Sequence, residues 1–280
     1  MSVLRYGLLA GLSALVACGG GGGDTDPVPI PPQPPKPVNA AGLWVGSSSM
    51  GADTQFVVDE NLILWGVYQD PLTLVSGALY SQLKVDDADT TGSTFVFDFR
   101  DYMGGGQVAV GEGTIKVAPE KSFDGNITRP TPVRFNTVFD PRFYQNATFT
   151  AIAGDWQLTL LNASTGARQP YGAMNISRLG AVNGTGLAGG AQCGFTGNMV
   201  PVAERGGYYT VMIQFSGSRE CLMPGQTVTG VAILNGAAAD ATLSLAVATA
   251  DRWQGASAIA LPVPAPTPTP TPTPTPPAAG

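Results

Sequence analysis

From Asn39 to Leu261 the chain has no stretch of ten residues whose apolar side chains recur at helical spacing. Its apolar residues come in short runs punctuated by glycine, and many of these alternate. Phe95, Phe97 and Phe99, for example, interleave with Thr94, Val96 and Asp98. Alternation of period two puts one face of a strand toward a core and the other toward water, so such a chain buries its apolar surface by laying strands against strands. The runs fall into two sets. Ala41-Gly42-Leu43-Trp44 opens the first, and Ala153-Gly154-Asp155-Trp156 opens the second.

In the first set the pattern predicts strands at 43–48, 55–58, 62–68, 75–85, 94–100, 107–117, 123–128 and 133–139. In the second it predicts 156–161, 173–177, 181–187, 193–200, 208–215, 227–235, 242–248 and 256–261. Short strands at this spacing imply an all-β chain with two small antiparallel barrels or sandwiches in tandem, over residues 39–150 and 151–261. Closure into barrels has the advantage of removing sheet edges that invite aggregation. A membrane-embedded barrel fits poorly, because most of the runs are shorter than a spanning strand of about 9–11 residues and aromatic girdles are missing.

Composition narrows the function. Gly (37) and Pro (24) are abundant while only 12% of residues are charged, the balance of strands joined by tight turns. Histidine is absent, which removes the commonest general base, the imidazole-dependent nucleophile systems and the usual zinc ligand. The net charge of −6 comes without a basic stripe, so nucleic acid is not expected as a partner. Neither an enzymatic activity nor a cofactor or metal is expected.

The ends have a different character. Arg5 precedes a short apolar stretch, Tyr6 to Ala17, too short to span a bilayer, and Leu15-Val16-Ala17-Cys18 closes it. This resembles the bacterial lipoprotein signal, with Leu15, Val16 and Ala17 as the lipobox and Cys18 as the lipidated residue. The alternative is an ordinary secretory signal with an incidental cysteine. The resemblance implies removal of residues 1–17 and attachment of several acyl chains at Cys18, which together anchor where a single chain would not. Gly19 stands where an inner-membrane retention signal would place Asp, so the resemblance implies the outer membrane. Residues 18–38 then form a Gly/Pro-rich tether, and 262–280 a Thr-Pro tail; neither composition can build a core. Losing Arg5 with the leader leaves 13 of the 14 basic side chains against 20 acidic ones, a net −7.

Export to an oxidising compartment makes a disulfide the economical use of Cys193 and Cys221. Runs 193–200 and 208–215 read as a hairpin turning near Glu204-Arg205-Gly206-Gly207, which carries Cys193 close to Cys221. A redox or metal-binding pair would need spacing or histidines that are absent. The string from Cys193 to Ala232, CGFTGNMVP…GGYYTVMIQFSGSREC…PGQTVTGVA, resembles a group of uncharacterised β-proteobacterial lipoproteins with a G-x-W opening, a C-x-F-x-G strand, a second cysteine and a G-V-A strand. That resemblance implies an anchored β-rich body and supplies no activity. In architecture alone, the chain is similar to surface lipoproteins such as transferrin-binding protein B and factor H binding protein.

Candidate sites are few. Trp44 and Trp156 could line ligand pockets, as aromatics do in lipocalin- or avidin-like barrels, or plug the barrel floors as core. Trp65 and Trp253 read the same way. Asp86-Asp87-Ala88-Asp89 could hold Ca²⁺ but lacks the loop that would close the site, which favours a solvated turn. Asp98 and Asp101 with Arg100, or Glu112 with Lys116, have no spacing that marks acid–base pairs. Gly104–Gly106 and Gly111-x-Gly113 are not phosphate loops, and the Asn-x-Ser/Thr tripeptides at Asn162 and Asn175 are uninformative in a bacterial chain. The expectation is an outer-membrane lipoprotein, held through Cys18, that presents a non-catalytic binding surface to a protein, small-molecule or cell-wall partner. A small-molecule-binding barrel is the alternative, and an envelope-structural protein touching peptidoglycan a third.

Overall fold

A computed structural model describes residues 37–69, 76–103, 108–161, 168–187, 190, 192–202, 206–236 and 240–264. The lipobox and Cys18, most of the tether and tail, and Gly104–Gly106, Asn162, Glu204 and Arg205 lie outside them.

The first eight strands are β1 (Gly42–Ser48), β2 (Asp53–Val58), β3 (Ile63–Gln69), β4 (Ser76–Val85), β5 (Thr94–Met103), β6 (Val108–Ala118), β7 (Ser122–Arg129) and β8 (Val133–Phe139). Each pairs antiparallel with the next, and β8 returns to β1 through Phe139 opposite Trp44, so the sheet closes into a barrel. A 3₁₀ turn (Pro141–Tyr144) and one helical turn (Phe149–Ile152) lead to the second set. It comprises β9 (Gly154–Leu161), β10 (Arg168–Ile176), β11 (Ala181–Thr185), β12 (Gly194–Pro201), β13 (Tyr208–Phe215), β14 (Thr227–Asn235), β15 (Thr242–Thr249) and β16 (Gly255–Pro262). It closes the same way, β16 on β9. The choice between barrel and sandwich is thus settled as barrel, twice. Every run expected to be a strand is one. The largest departure is β10, which starts at Arg168 rather than Ala173 because a bulge between Pro170 and Gly172 restores its pairing.

The duplication extends to atomic detail. Trp44 Nε1 donates to the carbonyl of Ala40 at 3.2 Å, and Trp156 Nε1 donates to that of Ile152 at 2.8 Å, each four residues back. Both indoles are buried at the end of the barrel where its first strand begins. Trp44 stacks on Phe123 at 5.2 Å between ring centroids and meets Phe139 edge-on.

Inside the first barrel, aromatic residues face glycines across the ladder: Phe56 opposite Gly66, Tyr68 opposite Gly77, Phe97 and Phe99 opposite Gly113 and Gly111, and Phe135 opposite Gly125. A Cβ on any of these glycines would overlap the facing ring. An eight-stranded barrel has room for one layer of large side chains, so a ring must lie flat over a residue with no side chain of its own. This accounts for much of the glycine in the first half.

The barrels are packed together by an apolar interface. Leu43, Val57, Trp65, Val67, Ala78 and Tyr102 point outward from barrel 1 and meet Tyr208, Val231, Ile233, Ala246 and Ala248 of barrel 2. Polar contacts frame it. Tyr102 donates its hydroxyl to Arg252 O at 3.0 Å, Arg142 Nη1 to Leu234 O at 2.7 Å, and Asn235 Nδ2 to Gln55 Oε1 at 3.1 Å. The Arg252 guanidinium lies over Tyr80 and Trp65 at 4.3 and 5.2 Å. Such faces explain why β3, β14 and β15 are buried on both sides and do not alternate.

Candidate functional site: the cavity of the first barrel

The two barrels differ at the end away from their tryptophans. In barrel 2 this end is covered. Cys193 and Cys221 form a disulfide with Cα atoms 4.8 Å apart, joining the loop before β12 to the loop after β13. Leu187 and Met223, from the same two loops, are fully buried in the barrel 2 core beside both cysteines. Gly190 N adds a hydrogen bond to Glu220 O at 3.2 Å across the loops. In the chain-entropy account a bridge spanning 28 residues stabilises by about 3–4 kcal/mol.

In barrel 1 the described residues at the corresponding end line a cavity of about 240 Å³. Its floor is apolar: Phe56, Leu79, Phe99, Ile127 and Phe135. Phe56 and Phe135 sit 4.8 Å apart by ring centroids, and below them Phe123 leads down to Trp44. The polar groups form a collar one strand step higher. Tyr68 donates its hydroxyl to Asp101 Oδ1 at 2.6 Å. Thr54, the β-ladder neighbour of Tyr68, is only 5% exposed, and its Oγ1 is shielded from solvent with no protein hydrogen-bond partner. An unpaired buried hydroxyl costs about 1–3 kcal/mol, so an orphan in a cavity wall calls for a physical explanation.

The structure relocates several residues singled out in the sequence. Trp44 and Trp156 are core rather than pocket lining: each indole is buried, its one donor spent on a carbonyl, and Trp44 lies under the aromatic layer that floors the cavity. Trp65 is buried at the interface between barrels, whereas Trp253 is 54% exposed, in the turn between β15 and β16, with the Arg100 guanidinium 4.8 Å from its ring. Asp98 and Arg100 point outward and Asp101 inward, as the pleat requires, so Asp98 and Asp101 do not converge. Glu112 forms an ion pair with Arg129 across the β6–β7 ladder, not with Lys116, and the Arg129 hydrogen bond holds its carboxyl below the usual range. Asp89 is occupied by its own loop: it accepts from the amides of Thr91, Ser93 and Thr94 and from two hydroxyls. Hydrogen bonds from Thr91 first, then Thr94, hold its carboxyl well below the ordinary value. It serves as the clasp of a turn.

Sequence reasoning missed Thr54, Tyr68 and Asp101 as a group. The available signal was weak: polar side chains at inward positions near strand ends, in strands otherwise filled with Phe and Leu.

No protein-family model matches the chain, and no curated protein matches it. Among solved structures, a candidate outer membrane protein from Bacteroides fragilis NCTC 9343 is 11% identical, with 79% of this chain and 95% of that one covered. The TM-score is 0.23, at which a likeness bears on neither fold nor function.

Proposed function

We propose that this chain is a lipid-anchored envelope protein, held to the outer membrane through Cys18, that binds a small, mostly apolar molecule in the cavity of its first barrel without chemical turnover. The observation that carries this reading is the cavity of about 240 Å³ floored by Phe56, Leu79, Phe99, Ile127 and Phe135. Binding sites for small molecules are concave, mostly apolar and carry a few placed polar groups, and barrel mouths are a common place for them. The covered end of barrel 2 supports the assignment to barrel 1, because the same architecture there is filled by its own loops. The outer-membrane anchor rests on the lipobox and on Gly19.

Methyl NMR of the full chain during a naphthalene titration tests the binding reading. Saturable shifts confined to cavity methyls such as Leu79 and Ile127 are expected, with barrel 2 methyls unmoved. In Gly125→Ala the new Cβ displaces the Phe135 ring into the cavity, and binding should weaken by at least about tenfold, for a stability cost of about 1–3 kcal/mol. Shifts on the outer surface alone, or none, would rule the reading out.

A further inference from the structure

We infer that the first barrel selects a compact, ring-sized ligand carrying one uncharged or cationic hydrogen-bonding group, and that Thr54 Oγ1 is the atom that receives this group. The inference rests on the cavity reading above and makes it specific in size, polarity and charge.

Size follows from volume. An apolar cavity of about 150 Å³ takes one benzene. The space in barrel 1 is about 240 Å³, enough for one or two fused rings or an acyl group of similar bulk.

Polarity follows from Thr54. It stands one inward step above Phe56 on β2, nearly buried, with a hydroxyl that no protein group satisfies. Its neighbours in the wall are apolar or already engaged: Tyr68 and Asp101 bond to each other. Rotation about χ1 between staggered positions presents the hydroxyl to the cavity without moving the backbone. Since a hydroxyl both donates and accepts, an alcohol, phenol, amide, ring N–H or amine can pair with it. A wholly apolar occupant would leave the orphan in place.

Charge follows from Asp101. Among the described residues lining the cavity it is the sole carboxylate, and it accepts the Tyr68 hydroxyl. A second carboxylate brought into this low-dielectric site would be repelled far more strongly than in water. The net charge of the chain, −6, adds to that repulsion. Anionic head groups, free fatty acids included, are therefore the wrong ligands for this barrel.

Calorimetric titration of the full chain at neutral pH with three probes of one ring size separates these elements: naphthalene, 2-naphthol and 2-naphthoate. The wild type should bind 2-naphthol about tenfold more tightly than naphthalene, as one good hydrogen bond provides, and 2-naphthoate at least about tenfold more weakly than 2-naphthol. Thr54→Val should reduce 2-naphthol to the naphthalene level and leave naphthalene within about twofold, while Thr54→Ser keeps the preference. Unchanged 2-naphthol affinity in Thr54→Val overturns the role of Thr54. Binding of 2-naphthoate as tight as that of 2-naphthol overturns the charge selection. Failure of all three probes to bind the wild type overturns the cavity reading itself, a result distinct from the other two.

Discussion

At the scale of single residues, Trp44 and Thr54 mark the two ends of barrel 1, and their polar atoms are treated in opposite ways. The indole of Trp44 is fully buried and satisfied by the Ala40 carbonyl. The hydroxyl of Thr54 is buried and unsatisfied. Thr54→Val should accordingly raise the stability of the ligand-free chain by about 1 kcal/mol, because a methyl group replaces an unpaired hydroxyl in apolar surroundings. Urea unfolding checks this, and a loss of stability instead would mean the hydroxyl has a protein partner. The alternation of β2 makes the inward direction of Thr54 legible, but hydrogen bonding across a barrel depends on register between strands far apart in sequence. The exposure of Trp253 was hidden for a related reason. Aromatic character suggests burial, yet Asp251 builds the turn by accepting from Thr249 Oγ1 and the Trp253 amide, and this leaves the ring outside.

At the scale of elements, the strand pattern was legible almost throughout, since alternation and glycine punctuation are local properties. The interface between barrels was not read, although a trace of it is present. Leu243 through Thr249 in β15 are buried without interruption, which is the mark of a strand covered on both faces. Small outward residues such as Ala246 and Ala248 allow the second barrel to approach. This interface also contributes to the alkaline sensitivity expected of the chain. Burial first, then the nearby charges of Asp59 and Glu60 on the β2–β3 turn, push the Tyr208 phenol up to about 12. Burial likewise pushes up Tyr102 on the facing barrel. A phenol raised above its unfolded value of about 10 contributes stability that is complete below pH ~10 and lost as pH rises toward the folded value. Unfolding free energy should therefore fall between about pH 10 and 12, and Tyr208→Phe should make that fall shallower while leaving neutral-pH stability nearly unchanged. Calorimetry across this window measures both, and an identical slope in the variant would remove Tyr208 from the account.

At the scale of the whole molecule, one barrel architecture is used twice and finished differently. Disulfide-stapled loops fill the far end of barrel 2, and the described residues at the same end of barrel 1 line a cavity above an aromatic floor. Tandem organisation was legible from the repeated Ala-Gly-x-Trp openings, whereas the asymmetry depends on how loops pack, which no local pattern encodes. The proposed anchor belongs to this scale too. Cys18→Ala should abolish incorporation of labelled palmitate, yet leave naphthalene binding intact because both barrels lie beyond Val38. Labelling that persists in the variant would place the lipid elsewhere. The central claim is that the first barrel is a receptor for a small molecule and the second is not, and a crystal structure of the chain with 2-naphthol tests it most directly. The account predicts one naphthol over Phe56 and Phe135, its oxygen within hydrogen-bond distance of Thr54 Oγ1, and none inside barrel 2. A first barrel closed by its own loops, or naphthol bound only elsewhere, would contradict it.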